Sequence, residues 1–474
     1  MSTQVHETSI DALVEPLVVG DATDRSQGDR GVQLSQRAAE RLANAGRCGV
    51  VWLPVFTLLA GHAVTLVTAL TVATAFAAVW IVALRGAFAA ARTIHALATP
   101  VAAAAGSGAG LVAVLAIEAT VSPLSLPTLT LFEMAGAVLG LAIAWESTVE
   151  RSAAVRKRVL IVGAANGGSD LVEELALAPS RRFDVVGIVD DERTTELVAG
   201  VPLHGRVADL PSVVEEHRPD IVVLAVGQNR PEAFRQLLEV AGSGFKVVGL
   251  PEFYEHAFGR VPVRHLTAAW FMSVLHLYQR PYTRLAKRAF DVVVASVALL
   301  LTAPLIPFVA LLVRRTPGPI IFRQTRLGEG GRHFTIYKFR TMRQDAEATG
   351  AMWAGESDPR ITAVGRFLRK TRLDEIPQLW NVLRGEMSIV GPRPERPEFV
   401  EILEETVPFW TRRHLVKPGI TGWAQVCRGY TADAEATAEK LSYDLWYLRH
   451  RSLAVDLAIC AKTLSTLVTG CGAR

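Results

Sequence analysis

The chain has 474 residues, which predicts two to four domains, each long enough to bury a hydrophobic core. Half of its residues are hydrophobic and its mean hydropathy is +0.27, values that indicate a chain lying partly in lipid. The net charge of +4 gives no general affinity for nucleic acid, and four cysteines without a CxxC pair argue against a zinc site or a disulfide framework.

The first segments predict a cytoplasmic tail followed by a membrane region. Residues 1–47 are polar and mixed in charge, which predicts disorder and argues against a cleavable signal peptide. Within residues 48–150, apolar stretches predict four transmembrane helices: two in the uncharged run 49–84, one near 96–117 and one near 126–145. Flanking arginines and lysines place both ends of the region in the cytoplasm by the positive-inside rule. Alanine-rich soluble helices are the alternative.

Residues 151–255 predict a Rossmann-like α/β domain, because buried strands alternate with helical patterns. The turn from Gly163 to Gly168 reads G-x-A-x-x-G, with Ala165 where the dinucleotide fingerprint has glycine, and Asp190 lies where the ribose-binding acid would. Because the fingerprint is imperfect, it leaves a bound nucleotide open without requiring one. A tight strand-to-helix turn is the alternative.

A linker at 256–280 leads to the last predicted domain, residues 281–474, which opens with a long uncharged segment. Pro304 and Pro307 near the centre of this segment predict a kink, since proline removes a helix hydrogen bond. Lysine and arginine at both ends predict that both ends face the cytoplasm. We therefore expect a re-entrant helix over about 288–313 that enters one leaflet and returns. A fifth span kinked by proline is the alternative.

Two adjacent acids, Asp374 and Glu375, precede a helical segment that begins near Pro377, where free backbone N–H groups favour anions. A carboxylate in this setting stays ionised near neutral pH and can attack phosphorus, and the pair can complete a magnesium site together with substrate phosphates. Cations suited to phosphate lie in or beside nearby turns: Lys338, Arg340, Arg369, Arg372, Arg393 and Lys417. The residues thus predict chemistry on a membrane-bound phosphate, with a solvated helix start as the alternative.

Four blocks of sequence follow one another in the last domain: "KRAFDVVVAS", "YKFRTM", "LDEIPQLWNVLRGEMSIVGPRP" and "KPGITGWAQV". With these blocks, residues 281–474 resemble the monotopic phosphoglycosyl transferase family of bacterial sugar transferases. The four predicted spans and the α/β domain add a resemblance to its long-chain branch, the polyprenyl glycosylphosphotransferases of exopolysaccharide biosynthesis.

The resemblance implies transfer of a sugar 1-phosphate from a UDP-sugar to undecaprenyl (polyprenyl) phosphate, with release of UMP, which initiates exopolysaccharide or capsule repeat units. Asp374 would be the nucleophile that forms a phosphosugar-aspartate, with Glu375 as the supporting acid. Both would hold Mg²⁺, which bridges the diphosphate. The phosphate-binding residues implied by the motifs are Arg369, Arg393, Lys338 and Arg340.

The resemblance also implies a multi-pass protein of the bacterial cytoplasmic (inner) membrane, with its catalytic domain on the cytoplasmic face. The expected partners are polyprenyl phosphate, a UDP-sugar and the membrane, and nucleic acid is not expected. Whether the chain forms a homo-oligomer is left open. Many members carry Ser-Pro at the bend of the re-entrant helix, where this chain has Ala303-Pro304, so Thr302 is the candidate for capping a freed carbonyl. The sugar is not specified by these motifs.

Two other functions compete with this prediction. The first is a membrane-anchored, NAD-dependent nucleotide-sugar dehydratase or epimerase, but residues 157–280 contain no Tyr-x-x-x-Lys pair for proton transfer beside NAD. The second is an inactive scaffold for polysaccharide assembly, against which the intact acid pair and its arginines argue.

Overall fold

A computed structural model of the chain describes most of the residues beyond position 155 and parts of the N-terminal region. The described residues are 42, 45–59, 70–78, 128–151, 156–165, 167–177, 182–192, 197–225, 236, 244–266, 270–272, 281–346, 358–427 and 434–469. Nearly all of the predicted N-terminal tail lies outside them, as does the third predicted membrane span.

Three N-terminal helices, α1 (Ala45–Leu59), α2 (residues 70–78) and α3 (Thr128–Arg151), overlap the other predicted spans. Their buried side chains form one cluster, to which Val55, Phe76 and Met134 belong. In the part of the chain that the structure describes, no single helix is both long and apolar enough to cross a membrane. The four transmembrane helices therefore stay a prediction.

The predicted α/β domain is confirmed as a parallel four-stranded sheet, in which the strands lie in the order β2 (Phe183–Val189), β1 (Lys157–Val162), β5 (Ile221–Leu224) and β6 (Lys246–Gly249). Successive residues of β1 pack on opposite faces: Val159 and Ile161 in one buried cluster, Leu160 and Val162 in another. The elements are β1 (Lys157–Val162), α4 (Gly168–Leu177), β2 (Phe183–Val189), β3 (Leu197–Val198), β4 (Val201–Pro202), α5 (Leu210–His217), β5 (Ile221–Leu224), β6 (Lys246–Gly249) and α6 (Leu250–Phe258).

The C-terminal domain combines an antiparallel hairpin with short parallel strands and helices around one hydrophobic core. Its elements are α7 (Pro281–Thr302), α8 (Leu305–Arg314), β7 (Ile321–Leu327), β8 (His333–Phe339), α9 (Ala363–Thr371), a 3₁₀ turn (Leu373–Glu375), α10 (Gln378–Arg384), β9 (Ser388–Val390), α11 (Pro397–Thr406), a 3₁₀ turn (Trp410–Leu415), β10 (Gly419–Thr421), α12 (Trp423–Cys427), α13 (Ala434–His450) and α14 (Leu453–Thr469). Strand β10 pairs with β9 in parallel, and β7 with β8 antiparallel.

Helices α7 and α8 form a pair bent by 66°, and the predicted prolines stand at the break and early in α8. Exposed apolar side chains cover the pair: Val293, Val297, Leu300, Leu301, Leu305, Phe308 and Leu311. The hydroxyl of Thr302 donates to the carbonyl of Ala298 at 2.7 Å, inside α7. The carbonyl that Pro304 leaves without a helix hydrogen bond is that of Leu300, four residues before it. Thr302 binds a different carbonyl, one turn before the break.

Both ends of the bent pair are held by the same domain. At the α7 end, Lys287 pairs with Asp456 at 2.7 Å, and the carboxylate of Asp291 accepts hydrogen bonds from Ser388 and the backbone of Ile389. At the α8 end, Arg340 binds the carbonyl of Val313 in the last turn of the helix and that of Thr316 just after it. A straight apolar helix that crosses a bilayer would separate its two ends by the thickness of that bilayer. The attachment of both ends of the α7–α8 pair to one domain therefore fits the predicted re-entrant helix better than a fifth span.

The segment that was predicted as a linker packs against the C-terminal domain. Val261 and Trp270 are buried in the hydrophobic core of that domain. The N–H of Val261 donates to the carbonyl of Ser442 on α13 at 3.2 Å. The α/β domain is thus connected to helix α13 through ordered contacts.

Candidate active site

The two acids lie in the 3₁₀ turn between α9 and α10, where both are buried, each 7% exposed. Arg372 ends α9 in the left-handed conformation, with φ of 59°, and so reverses the chain into this turn. Pro377 directly precedes α10. Proline has no backbone N–H, so it adds no unpaired donor at the start of the helix. The acids therefore stand at the start of a helix, as the sequence predicts.

Glu375 is paired with two cations. Its Oε1 atom lies 3.2 Å from Nζ of Lys338, which β8 carries, and 3.1 Å from a guanidinium nitrogen of Arg393. Burial raises the pKa of Glu375, but the charges of Lys338 and Arg393 outweigh it, so that the net pKa is well below its usual range. Glu375 is therefore a fixed anion whose oxygen is already engaged.

Asp374 has the opposite environment. Its Oδ1 atom is buried and has no hydrogen-bond partner among the residues that the structure describes. Burial and the adjacent charge of Glu375 raise the pKa of Asp374 to about 6. The carboxylate is thus still mostly ionised at neutral pH, with more basic character than an ordinary aspartate and one oxygen free to act.

Arg369 lies at the same site, where its charge lowers the pKa of Asp374. Its Nε atom donates to the hydroxyl of Thr341 at 3.0 Å, which orients the guanidinium. Thr341 follows the predicted basic pair in the block "YKFRTM", and sequence reasoning missed its role. The structure therefore brings Lys338, Arg369 and Arg393 together around the two acids.

Arg340, which the sequence predicts to bind phosphate, is buried and directed elsewhere. Its guanidinium donates to the carbonyls of Pro319 at 2.7 Å, Thr316 at 2.9 Å and Val313 at 3.2 Å, and also to the carbonyl of Pro317. The carbonyl of Val313 belongs to the last turn of α8, and the others belong to the turn between α8 and β7. Arg340 thus clamps the exit of the bent helix pair, and its donors are taken up by the protein itself.

Lys417 lies away from the start of α10. Its Nζ atom is beside Gly385, at the opposite end of that helix, where Arg288 donates to the carbonyls of Val382 and Leu383 at 2.7 Å each. Cations at a helix C-terminus stabilise its unpaired carbonyls. Lys417 and Arg288 therefore fix α10 from its far end.

Three glycines allow the backbone turn that carries Arg393 to rest on a second turn. A Cβ atom on Gly391, Gly419 or Gly422 would lie 2.1 to 2.3 Å from backbone atoms of the opposite segment. The N–H of Gly391 donates to the carbonyl of Thr421 at 2.9 Å. Only glycine permits this approach, so the motifs "VGPRP" and "KPGITG" form one rigid support for Arg393.

Asn381 on α10 positions the strand that carries Lys338. Its side chain is fully buried, accepts from the N–H of Tyr337 at 3.2 Å and donates to the carbonyl of Thr335 at 2.7 Å. These two bonds tie α10 to β8 at Thr335 and at Tyr337, which are two residues apart on the strand. The register of Lys338 against Glu375 follows from them.

The predicted magnesium ion fits the acid pair in one respect. Asp374 offers a buried oxygen without a partner, and carboxylate oxygen is the preferred ligand of magnesium. In the described ranges, no group of three or more His, Cys, Asp or Glu side chains is arranged to hold a metal. Further ligands would therefore come from substrate phosphates and water, which is usual for magnesium.

The predicted nucleotide turn of the α/β domain holds a carboxylate of the protein. Asp190 is buried and accepts hydrogen bonds from the N–H groups of Ala164 and Glu192, the latter at 2.6 Å. Gly168 packs on the carbonyl of Gly163, which a Cβ atom would approach to 1.9 Å. Because a backbone donor of the turn is already satisfied by Asp190, this geometry favours the tight-turn alternative, and the nucleotide stays a prediction.

Comparisons with known proteins find family models that match two parts of the chain. A family model described as "Bacterial sugar transferase" matches residues 282–470, and one described as "CoA-binding domain" matches residues 101–241. The chain is 43% identical over 241 residues to a UDP-N-acetylgalactosamine-undecaprenyl-phosphate N-acetylgalactosaminephosphotransferase of Aeromonas hydrophila, covering 51% of this chain and 56% of that protein. It is 34% identical over 319 residues to the UDP-glucose:undecaprenyl-phosphate glucose-1-phosphate transferase of Escherichia coli, covering 65% of this chain and 67% of that protein.

A third relative is shorter. The exopolysaccharide production protein PSS of Rhizobium leguminosarum is 42% identical over 190 residues, which is 39% of this chain but 95% of that protein. The matches to the two longer relatives cover little more than half and two thirds of their lengths.

Proposed function

Because the chain belongs to the bacterial sugar transferase family, we propose that it transfers a sugar 1-phosphate from a UDP-sugar to polyprenyl phosphate and so begins a polysaccharide repeat unit. The observation that carries this proposal is the inequality of the two acids. Glu375 is engaged by Lys338 and Arg393, whereas Asp374 keeps a free, buried oxygen. A site with one free carboxylate surrounded by phosphate-binding cations suits nucleophilic attack on phosphorus.

In the first step, an oxygen of Asp374 attacks the β-phosphorus of the UDP-sugar. The bond between that phosphorus and the bridging oxygen breaks, UMP leaves with the electron pair, and a phosphosugar-aspartate results. In the second step, an oxygen of polyprenyl phosphate attacks the same phosphorus and breaks its bond to Asp374. This releases the lipid diphosphate sugar and restores the carboxylate.

The neighbouring residues have separate tasks in these steps. Arg369 and Arg393 bring positive charge to the phosphoryl oxygens, on which negative charge accumulates. Glu375 keeps Lys338 and Arg393 in place and raises the basicity of Asp374. Magnesium, held by Asp374 and substrate phosphates with Glu375 beside it, would neutralise the charge of the diphosphate when bound.

The substrates follow from the names of the relatives only as far as their class. One relative is named for N-acetylgalactosamine phosphate and another for glucose phosphate, both with undecaprenyl phosphate as acceptor. We propose the same acceptor for this chain and a UDP-hexose or UDP-N-acetylhexosamine as donor.

The bent helix pair provides the proposed contact with the lipid. Its apolar side chains are exposed, and its two ends are attached to the domain that carries Asp374. Insertion of the pair into one leaflet would put the acids next to the headgroup of polyprenyl phosphate. They would lie on the face of the membrane where Lys287 and Arg340 bind the two ends of the pair. We assign this face to the cytoplasmic side of the bacterial inner membrane, where UDP-sugars are available.

Purified full-length protein in detergent, given Mg²⁺, polyprenyl phosphate and a panel of UDP-sugars, should release UMP with at least one donor. Asp374→Asn should abolish release, while Asp345→Asn, at an exposed aspartate of the same domain, should not. Without lipid acceptor, a radiolabelled donor should label the wild type on the peptide that contains Asp374, and hydroxylamine should remove the label. UMP release or labelling by Asp374→Asn at the wild-type rate would refute the assignment of the nucleophile.

A further inference from the structure

Helix α6 of the α/β domain inserts a carboxylate into the C-terminal domain. Glu255 is 1% exposed. It accepts from Nε1 of Trp270 at 2.5 Å and pairs with Arg449 at 2.7 Å and with Nε2 of His450 at 2.8 Å. Burial raises the pKa of Glu255, but the hydrogen bond from His450 and the charge of Arg449 outweigh it and lower the pKa overall. A buried charge with three partners fixes geometry between the two domains, since moving it would leave it unpaired.

A second set of contacts holds the same two domains together. Arg260 pairs with Glu174 of α4 at 2.5 Å and with Glu439 of α13 at 3.4 Å. The indole N–H of Trp423 donates to the carbonyl of Gly259 at 2.7 Å. Arg260, two residues after the end of α6, therefore bridges the domains through ion pairs that involve neither Glu255 nor its partners.

A continuous line of contacts runs from Glu255 to the acid pair. The ring of His450 stacks on Trp446 at 4.7 Å, and Trp446 contacts Trp423 at 5.3 Å between ring centroids. Trp423 directly follows Gly422, where a Cβ atom would lie 2.2 Å from the carbonyl of Gly391. That glycine belongs to the turn that carries Arg393, whose guanidinium pairs with Glu375 at 3.1 Å.

We propose that Glu255 is a positioning residue of the transfer site: by holding His450 and Arg449, it aligns Trp446 and Trp423 behind the glycine-supported turn of Arg393. The α/β domain is then a working part of the active site. This inference rests on the proposed function, because its readout is the rate of sugar-phosphate transfer. Wild-type protein that releases no UMP with any donor would count against the proposed function, whereas the variants below address Glu255 alone.

The test compares Glu255→Gln with Arg260→Gln as a matched control, since both substitutions remove ion pairs between the same domains. UMP release is measured over a range of UDP-sugar concentrations, and thermal unfolding reports the folded fraction. We expect Glu255→Gln to lower kcat on the order of ten- to a hundredfold with little change in KM, because small displacements of a supporting shell have effects of this size. Arg260→Gln should keep the wild-type kcat. Equal kcat losses in both variants, or a wild-type kcat in Glu255→Gln, would overturn the proposal.

His450→Phe provides a second measurement that does not depend on folding of the Glu255 variant. The imidazole is partly exposed, and phenylalanine keeps a ring on Trp446 while removing the bond to Glu255. We expect a loss of kcat similar to that of Glu255→Gln, and no further loss in the double variant, because both act on one line of contacts. Losses that multiply in the double variant, or no loss in His450→Phe, would overturn the proposal.

Discussion

Arg340→Lys distinguishes a phosphate-binding residue from a structural clamp. In the structure, the guanidinium of Arg340 donates to several carbonyls between Val313 and Pro319 and also to the hydroxyl of Thr316 at 3.0 Å. A lysine ammonium keeps the charge but concentrates three donors at one point, whereas the guanidinium distributes five over a plane. The substitution therefore leaves about two of these carbonyls without a donor.

The expected magnitude follows from those lost bonds. A buried carbonyl left unpaired, such as that of Val313, costs about 1–3 kcal/mol, whereas water can reach the carbonyls of the exposed residues Pro317 and Pro319, so the free energy of unfolding should fall by about 1–3 kcal/mol. For a domain of this size, about 3 kcal/mol corresponds to a decrease in Tm of about 6–12 °C. The KM for UDP-sugar of the folded protein should change little, because Arg340 does not reach the acid pair.

The assay combines thermal unfolding in detergent with UMP-release kinetics at a temperature where the variant is folded. Arg343→Lys is the control, because Arg343 is exposed and lies on the same segment three residues later. A wild-type Tm together with a KM raised tenfold or more in Arg340→Lys would refute the clamp. It would restore the phosphate-binding role that the sequence predicts.

Two further predictions concern pH and metal. Burial and the charge of Arg413 lower the pKa of His414 from 6.5 to about 4, so the unfolded state takes up the proton first and stability decreases as the pH falls from about 6.5 towards 4. Denaturant unfolding at pH 7.5 and 4.5 should show a decrease in the free energy of unfolding of up to about 3 kcal/mol at the lower pH. The decrease should be smaller in His414→Gln. The same pH dependence in the wild type and the variant would contradict this prediction. Chelation with EDTA should stop UMP release and excess Mg²⁺ should restore it, measured by the same UMP-release assay; full activity in excess EDTA would exclude the proposed magnesium.

The sequence predicted those features that depend on short-range pattern. Alternating buried strands and helices gave the parallel α/β sheet, and the prolines near residue 304 gave the break between α7 and α8. Arg372 and Pro377 on either side of the acids correspond to a helix end and a helix start, so the position of Asp374 was also predictable. Each strand, the helix break and the two helix ends are encoded in short stretches of neighbouring residues.

The partners of the long cations could not be predicted in the same way. Lys338 near the end of β8 and Arg340 directly after the strand are two residues apart, yet Lys338 meets Glu375, 37 positions away, and Arg340 meets a turn more than 20 positions before it. Which of them binds an acid is determined by how β8 lies between α10 and the exit of α8. Asp190 is a similar case, because its carboxylate stands at the expected distance in sequence but turns towards a backbone N–H of its own domain.

The adjacency of Asp374 and Glu375 has a physical consequence that two separated acids would not have. Neighbouring residues in a tight turn direct their side chains to different surroundings. Glu375 meets Lys338 and Arg393 and stays ionised, and its fixed charge then raises the pKa of Asp374, which has no hydrogen-bond partner at Oδ1 in the described structure. If the cations faced Asp374 instead, that carboxylate would be the less basic of the two and both of its oxygens could be engaged. The turn thus makes one acid an anchor for the cations and leaves the other as the proposed nucleophile, and the support of Arg393, from the glycine turns to Glu255, would maintain the difference between them.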